Sequence, residues 1–390
     1  MSRRAFVVVL DACGVGATSD AAEYGDEGSD TLGHLAAIEG GLALPTLAAL
    51  GLGHLTAIAG VPPSGAPVVH GRLAPIGPGK DSIVGHWGLM GVAAPGPLPA
   101  WPEGVAADER EEWGQALGVR FLAGARTDGI TAIERWGEQH LASGDPILYT
   151  SVDSVLQVAA HDDHWPAPAL HELCARLHAA LTPERRPARV IARPFAGRPG
   201  AFRRTDGRRD VALPPPGRSY LDELLAAGQA VHGVGKVVDV FAGRGFTATH
   251  PGATNAVALA TVERLLDELP AGLAFANLVE TDERYGHRKD TAGFHRALRE
   301  IDAAVARWLP RLGADDLLIL TADHGVDPAA PHRDHTRELA PLLATVGGTR
   351  GGPVVEGARH DGVLADVGAT VLRWLTGGDA PGLPGRPLLG

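Results

Sequence analysis

AFVVVLD, Ala5 to Asp11, is the stretch on which the fold turns. Six apolar residues in a row, three of them β-branched, show no alternation between faces. That is the pattern of a strand buried on both sides of a parallel sheet. Four more runs share it: Pro146 to Tyr149 (PILY), Ala230 to Val234, Leu273 to Val279 (LAFANLV) and Leu317 to Thr321 (LLILT). Helical periodicity lies between them. From Asp290 to Leu309 the residues Phe294, Leu298, Ile301, Val305 and Trp308 recur at helical steps, with Asp290 placed to cap the start and Pro310 to end the helix. Ser219 with Asp222 predicts a capping box opening a second helix that ends at Gly228. Strands alternating with helices predict an α/β fold with a mostly parallel sheet.

At 390 residues the chain exceeds a single domain of ~100 to 200 residues. Two proline-rich stretches, Pro95 to Pro102 and Pro214 to Gly217, suit extended links. They predict a core built from residues 1–99 and 217–390, with residues 100–216 inserted as a smaller α/β cap domain. The apolar fraction is 45% and the charged fraction 21%, which excludes a disordered or fibrous chain. No apolar run approaches the ~20 residues of a membrane span, and the run after Arg3 and Arg4 is shorter than a signal core of ~7 to 15, so a cytoplasmic protein without a membrane partner is expected. Two cysteines, Cys13 and Cys174, are too few for a disulfide framework. A net charge of −11 argues against a nucleic-acid partner and leaves a small anion met by local arginines.

In an open parallel sheet the ligand crevice lies beyond the carboxyl ends of the strands. Asp11 follows the first run, Glu280, Asp282 and His287 follow LAFANLV, and Asp323 and His324 follow LLILT, with His335 eleven residues beyond His324. A lone acid after a strand is commonly a helix cap. Three strands doing this, two of them adding imidazoles, is a different pattern. Asp11, Asp282, His287, Asp323, His324 and His335 mix oxygen and nitrogen donors in a way that suits manganese, zinc or iron. Six ligands exceed one tetrahedral ion. Two cations ~3.5 to 4 Å apart would use them all and clamp an in-line displacement at phosphorus.

The nucleophile is sought in GPGKDSIVGHWGLMG, Gly77 to Gly91, a glycine-rich loop leading into a helix. Ser82 is a weak nucleophile until a cation lowers the pKa of its hydroxyl. Lys80 and the amides after the glycines would neutralise a phosphoryl group. A nucleotide P-loop is excluded, since Ala74 stands where its first glycine belongs and Asp81 where a hydroxyl residue must follow the lysine.

The segments VVVLDACGVG, GSDTLGHL, GKDSIVGHW, YTSVDSV, ARPF, GVGK, TDERYGH, TADHG and DHTRE, in this order, resemble phosphopentomutases of the alkaline phosphatase superfamily across nearly the whole chain. The resemblance implies an alkaline-phosphatase-like core, an inserted substrate-binding cap, and interconversion of α-D-ribose 1-phosphate, or its 2-deoxy equivalent, with the 5-phosphate. It implies two divalent cations, manganese above others, one held by Asp11, Asp323, His324 and Ser82, the other by Asp282, His287 and His335. It implies a phosphorylated Ser82, where the family carries phosphothreonine, and a sugar bisphosphate intermediate. Ser151, Asp153 and Val155 match pentose-contacting positions, Arg193, Arg204 and Arg208 offer forked donors suited to the non-reacting phosphate, and Lys236 is a further phosphate candidate. Val84 stands for a second threonine, Gly88 for a glutamate and Glu280 for an aspartate. These departures keep a phosphatase, or a mutase of a different or modified phosphosugar, as the alternative; oligomeric state is left open.

Overall fold

The structure, a computed structural model, describes residues 3–65, 68–151, 154–347 and 358–389. The chain divides into two compact units, Met1–Gly96 with Pro215–Gly390, and Pro97–Pro214. The junctions fall in the two proline-rich stretches.

The first unit begins with β1 (Arg4–Leu10) and β2 (Val69–Ala74). The inserted unit carries β3 (Leu122–Arg126), β4 (Ile147–Thr150), β5 (Val155–His161), β6 (Arg189–Ala196), β7 (Arg203–Arg204) and β8 (Arg209–Ala212). The first unit resumes with β9 (Val231–Val234), β10 (Ala248–His250), β11 (Gly272–Leu278), β12 (Asp316–Thr321), β13 (Ala340–Val346) and β14 (Gly362–Val363). Its eight strands form one sheet in the order β10-β9-β11-β1-β12-β13-β2-β14. All pairings are parallel except β12 with β13 and β13 with β2. The apolar reading of Ala5 to Leu10 has its cause here: β1 is paired on both edges, with β11 and β12, and is buried from Ala5 onward.

Helices cover the sheet by burying one stripe each. The helix Thr291–Trp308 buries Phe294, Leu298, Ile301, Val305 and Trp308, and Asp290 caps it by accepting the Gly293 N–H at 2.9 Å. Burying such side chains contributes ~1.5 to 3 kcal/mol each. Pro310 lies in a short 3-10 turn, Leu309–Arg311, directly after it. The helix Tyr220–Ala226 opens with the Ser219 and Asp222 capping box. Among the described residues no helix is long and apolar enough to cross a membrane.

The inserted unit has its own sheet, β3-β4-β5-β6-β7, with β8 paired to β6. One core cluster packs Leu148, Leu156, Val158 and Val190 against Leu170, Leu173 and Leu177 of the helix Ala167–Ala180, together with Trp101 and Trp113. A second gathers Ile133, Ile147, Tyr149 and Phe195.

Candidate active site

Four adjacent parallel strands, β9-β11-β1-β12, end on the same edge of the core sheet, and each delivers chemistry just past its last residue. Lys236 follows β9, Asp282 and His287 follow β11, Asp11 follows β1, and Asp323 and His324 follow β12. Their neighbourhood in space is thus set by strand order rather than by chain distance.

Each element is bent to aim its side chain. After Asp11 the backbone turns through Ala12, a non-glycine residue at φ 61°, whose N–H donates to Asp323 Oδ1 at 3.2 Å. Positive φ at such a residue costs energy and persists where surrounding contacts dictate it. Asp282 and His287 are five residues apart, a spacing that in an α-helix of ~3.6 residues per turn would point them to different faces. A π-helical turn, Thr281–Gly286, resolves this, with the His287 N–H donating to the Asp282 carbonyl at 3.2 Å. His335 comes from the excursion between β12 and β13. The Gly325–Thr336 bridge folds that excursion back, and the His335 and His324 ring centroids lie 4.0 Å apart.

Two groups of three ligand atoms result, each within 4.8 Å: Asp282, His287 and His335, and Asp11, Asp282 and His324. Asp282 Oδ1 lies 3.3 Å from His287 Nε2 and 3.5 Å from His335 Nε2. His324 Nε2 lies 3.5 Å from Asp11 Oδ1, 3.2 Å from Asp323 Oδ2 and 3.0 Å from Ser82 Oγ. The imidazoles are set as ligands by their other nitrogens. His287 Nδ1 donates to the Arg333 carbonyl at 2.7 Å and His324 Nδ1 to that of Gly325 at 3.1 Å, leaving Nε2 toward the carboxylates.

Ser82 is buried and opens the helix Ser82–Leu89, capped by Asp81, which accepts the Ile83 and Val84 N–H groups at 2.8 and 3.2 Å. Lys236 Nζ is 2.8 Å from Ser82 Oγ, is paired with Asp11, and lies 3.9 Å from Asp282. Gly85 lets this helix sit directly on the segment after β12, because a Cβ there would fall 2.4 Å from the Asp323 carbonyl oxygen.

Three carboxylates are packed together out of water. Burial, then the nearby Asp323 charge, pushes the Asp11 carboxyl well up, against the pull of Lys236. Burial raises Asp323 and Asp282 too, but their imidazole neighbours outweigh it and both lie below the usual carboxylate range. Burial lowers His324, yet Asp323, Asp282 and Asp11 push it up to about 10. Such a concentration of buried negative charge is costly without cations. Asp11 Oδ1, fully buried, accepts no hydrogen bond. The donor set of carboxylates and Nε2 atoms therefore fits divalent metal.

Lys80 Nζ is held by Asp26 at 2.9 and 3.1 Å, which anchors the glycine-rich segment. In the inserted unit Arg193, a half-exposed residue of β6, donates from Nε to Gln157 Oε1 at 3.0 Å. Burial, then the charges of Arg208 and Arg204, pulls its pKa down, which places three guanidinium groups in one electrostatic neighbourhood. Arg208 forms a two-pronged pair with Asp210, both contacts at 2.8 Å. Val155 is buried at the start of β5, Ser151 follows β4, and Asp153 lies outside the described residues.

Two departures from the family pattern have local causes. A Cβ on Gly88 would lie 3.1 Å from Leu364 Cδ1, so the helix face there is committed to packing. Glu280 accepts the Asn255 N–H with Oε2 at 2.8 Å and pairs with Arg284 through Oε1 at 2.8 Å, tying the π turn to the start of the preceding helix, Asn255–Glu268. Nothing in the structure explains Val84. Residues that the sequence did not single out also support the site: Arg337 donates to the carbonyls of Gly77 and Gly79 at 2.9 and 2.6 Å, and the Tyr24 hydroxyl accepts the Gly79 N–H at 3.1 Å.

The Metalloenzyme superfamily model matches residues 3–376, and the chain belongs to that superfamily of metal-dependent enzymes. The chain is 48% identical over 376 residues to the phosphopentomutase of Anaeromyxobacter dehalogenans, covering 96% of both chains. It is 44% identical over 372 residues to that of Symbiobacterium thermophilum, covering 95% of this chain and 94% of the relative. Within the superfamily it is a member of the phosphopentomutase family. Among solved structures, a phosphoglycerate mutase of Leishmania mexicana superposes with a TM-score of 0.49 at 14% identity, covering 99% of this chain and 97% of that one.

Proposed function

We propose that the chain is a phosphopentomutase that interconverts α-D-ribose 1-phosphate, or the 2-deoxy sugar, with the 5-phosphate, using Ser82 as phosphoryl carrier. The observation that carries this reading is Ser82 Oγ at the start of its helix, 3.0 Å from His324 Nε2 and 2.8 Å from Lys236 Nζ, beside three buried carboxylates. A binder of metal or sugar has no need of a hydroxyl in that position.

Asp11, Asp323, His324 and Ser82 would hold one divalent cation, and Asp282, His287 and His335 a second; three carboxylates and three imidazoles suit manganese, zinc or iron, and the family resemblance favours manganese. Bound there, the cations lower the hydroxyl's pKa and offset charge on the transferring phosphoryl group. Phosphorylated Ser82 gives its phosphoryl group to the free hydroxyl of a pentose monophosphate: the new bond is from phosphorus to the sugar oxygen, the bond to Oγ breaks, and the sugar's proton passes to Oγ. The resulting bisphosphate reorients, and Oγ takes the other phosphoryl group in the reverse exchange. Lys236, an ammonium whose pKa burial lowers but the surrounding carboxylates raise, stays charged against the phosphoryl oxygens.

The inserted unit is assigned the sugar and the resting phosphate. Arg193, Arg204 and Arg208 offer forked donors to the phosphate, and their mutual repulsion is relieved by a dianion. Ser151, Asp153 and Val155 are assigned to the pentose. Phosphorus NMR on metal-loaded protein with ribose 1-phosphate tests the reading. The expected result is ribose 5-phosphate without loss of sugar phosphate. Accumulation of inorganic phosphate alone would replace the mutase with a phosphatase.

A further inference from the structure

His86 is fully buried one turn into the helix that begins with Ser82. Its Nδ1 lies 2.7 Å from the Ser82 carbonyl oxygen and 3.1 Å from Asp323 Oδ2. Both oxygens only accept, so Nδ1 carries the proton; it donates to the Ser82 carbonyl, while Asp323 Oδ2 sits in close polar contact without accepting a hydrogen bond. Across the ring, Nε2 is 3.1 Å from Asn277 Nδ2. Asn277 is a polar residue completely buried in β11, opposite Val9 of β1, on the strand that leads to Asp282. Phe275, on the same strand, packs on the imidazole with ring centroids 6.1 Å apart. One side chain therefore links the nucleophile's own backbone, a carboxylate of the metal cluster and the neighbouring strand.

We propose that His86 is a positioning residue: its ring, fixed through Nδ1–H by the Ser82 carbonyl and at Nε2 by Asn277, keeps the Asp323 carboxylate in register with Ser82 through the 3.1 Å contact of Nδ1 with Oδ2. The role of Ser82 in this statement rests on the reading above; the role of Asp323 rests on the donor set alone. Freed of this contact, Asp323 turns about its side-chain torsions and competes for other partners, and loss of an outer-shell partner of this kind lowers metal affinity by roughly 10- to 100-fold. If His86 merely filled space, any polar side chain of similar size would serve.

Two variants separate these cases, because the asparagine amide nitrogen falls near Nδ1 and the glutamine amide nitrogen near Nε2. Metal-stripped wild type, His86→Asn, His86→Gln and Asn277→Leu are titrated with manganese chloride by calorimetry. His86→Gln is expected to bind roughly 10- to 100-fold more weakly, Asn277→Leu to weaken in the same direction, and His86→Asn to recover most of the loss. Should His86→Gln fail to fold, Asn277→Leu carries the comparison. Equal affinity for His86→Asn and His86→Gln, or wild-type affinity in Asn277→Leu, overturns the proposal. Metal affinity is read without turnover, so an absence of ribose 5-phosphate from the wild type refutes the mutase reading and leaves this result standing.

Discussion

Glu338 is completely buried, and its carboxylate is nevertheless a hub. Oε2 accepts the Thr31 N–H at 2.9 Å and the Gly16 N–H at 3.3 Å, and Oε1 accepts the hydroxyls of Thr31 and Thr336 at 2.7 Å each. It ties the loop after Asp11 to the excursion that carries His335. Burial pushes its pKa from 4.5 to about 7, so the charged form is disfavoured in the folded chain. Stability from this group is therefore complete below about pH 4.5 and is lost as the pH rises through about 7. Glu338→Gln keeps the shape and removes the titration. Denaturant unfolding at about pH 5 and about pH 8 is expected to show wild type losing on the order of 3 kcal/mol relative to the variant. A difference that stays constant across that range refutes it. At this scale the residues of the cluster could be picked out, since Asp11, Asp282, His287, Asp323 and His324 follow apolar runs and His335 lies eleven residues beyond His324. His86 and Asn277 could not, because nothing in a single chain distinguishes a polar residue inside an apolar run from an interruption of it.

Two elements carry the geometry: the π-helical turn at Thr281–Gly286 and the helix Ser82–Leu89 seated on Asp323. Gly85→Ala places a methyl group 2.4 Å from the Asp323 carbonyl oxygen, and neither backbone can yield cheaply. Metal affinity is expected to fall tenfold or more, as when an outer-shell support of roughly 10- to 100-fold effect is lost. Ser219→Ala, which removes a capping box elsewhere, should cost about 1 kcal/mol of stability and leave metal affinity alone. Calorimetric titration and denaturant melts on both variants decide this, and unchanged affinity in Gly85→Ala contradicts it. Capped helices and doubly buried strands announced themselves in composition. β13 did not, since Pro341 sits within it although the strand lies between β12 and β2, and a proline argues against a central strand. β2 was hidden by His70 and Arg72, and the π turn by a five-residue spacing that belongs to no regular period.

For the whole molecule, the first unit folds around an edge where three buried carboxylates meet, so bound metal and stability are linked. A divalent cation at a hundred times its dissociation constant adds about 2.7 kcal/mol. Removing it with a chelator is expected to lower the thermal midpoint by about 5 °C, and added manganese to restore it. A midpoint indifferent to both is incompatible with metal at this edge. Proline accumulates at both junctions between the two compact units, where neither sheet continues.

The claim on which the account depends is that Ser82 carries the phosphoryl group. Peptide mass spectrometry of the purified chain, before and after brief exposure to ribose 1-phosphate with manganese, reads this directly. Phosphate on the peptide containing Ser82, absent from Ser82→Ala together with all turnover, is the expected result. Turnover by the wild type with Ser82 never phosphorylated would contradict it.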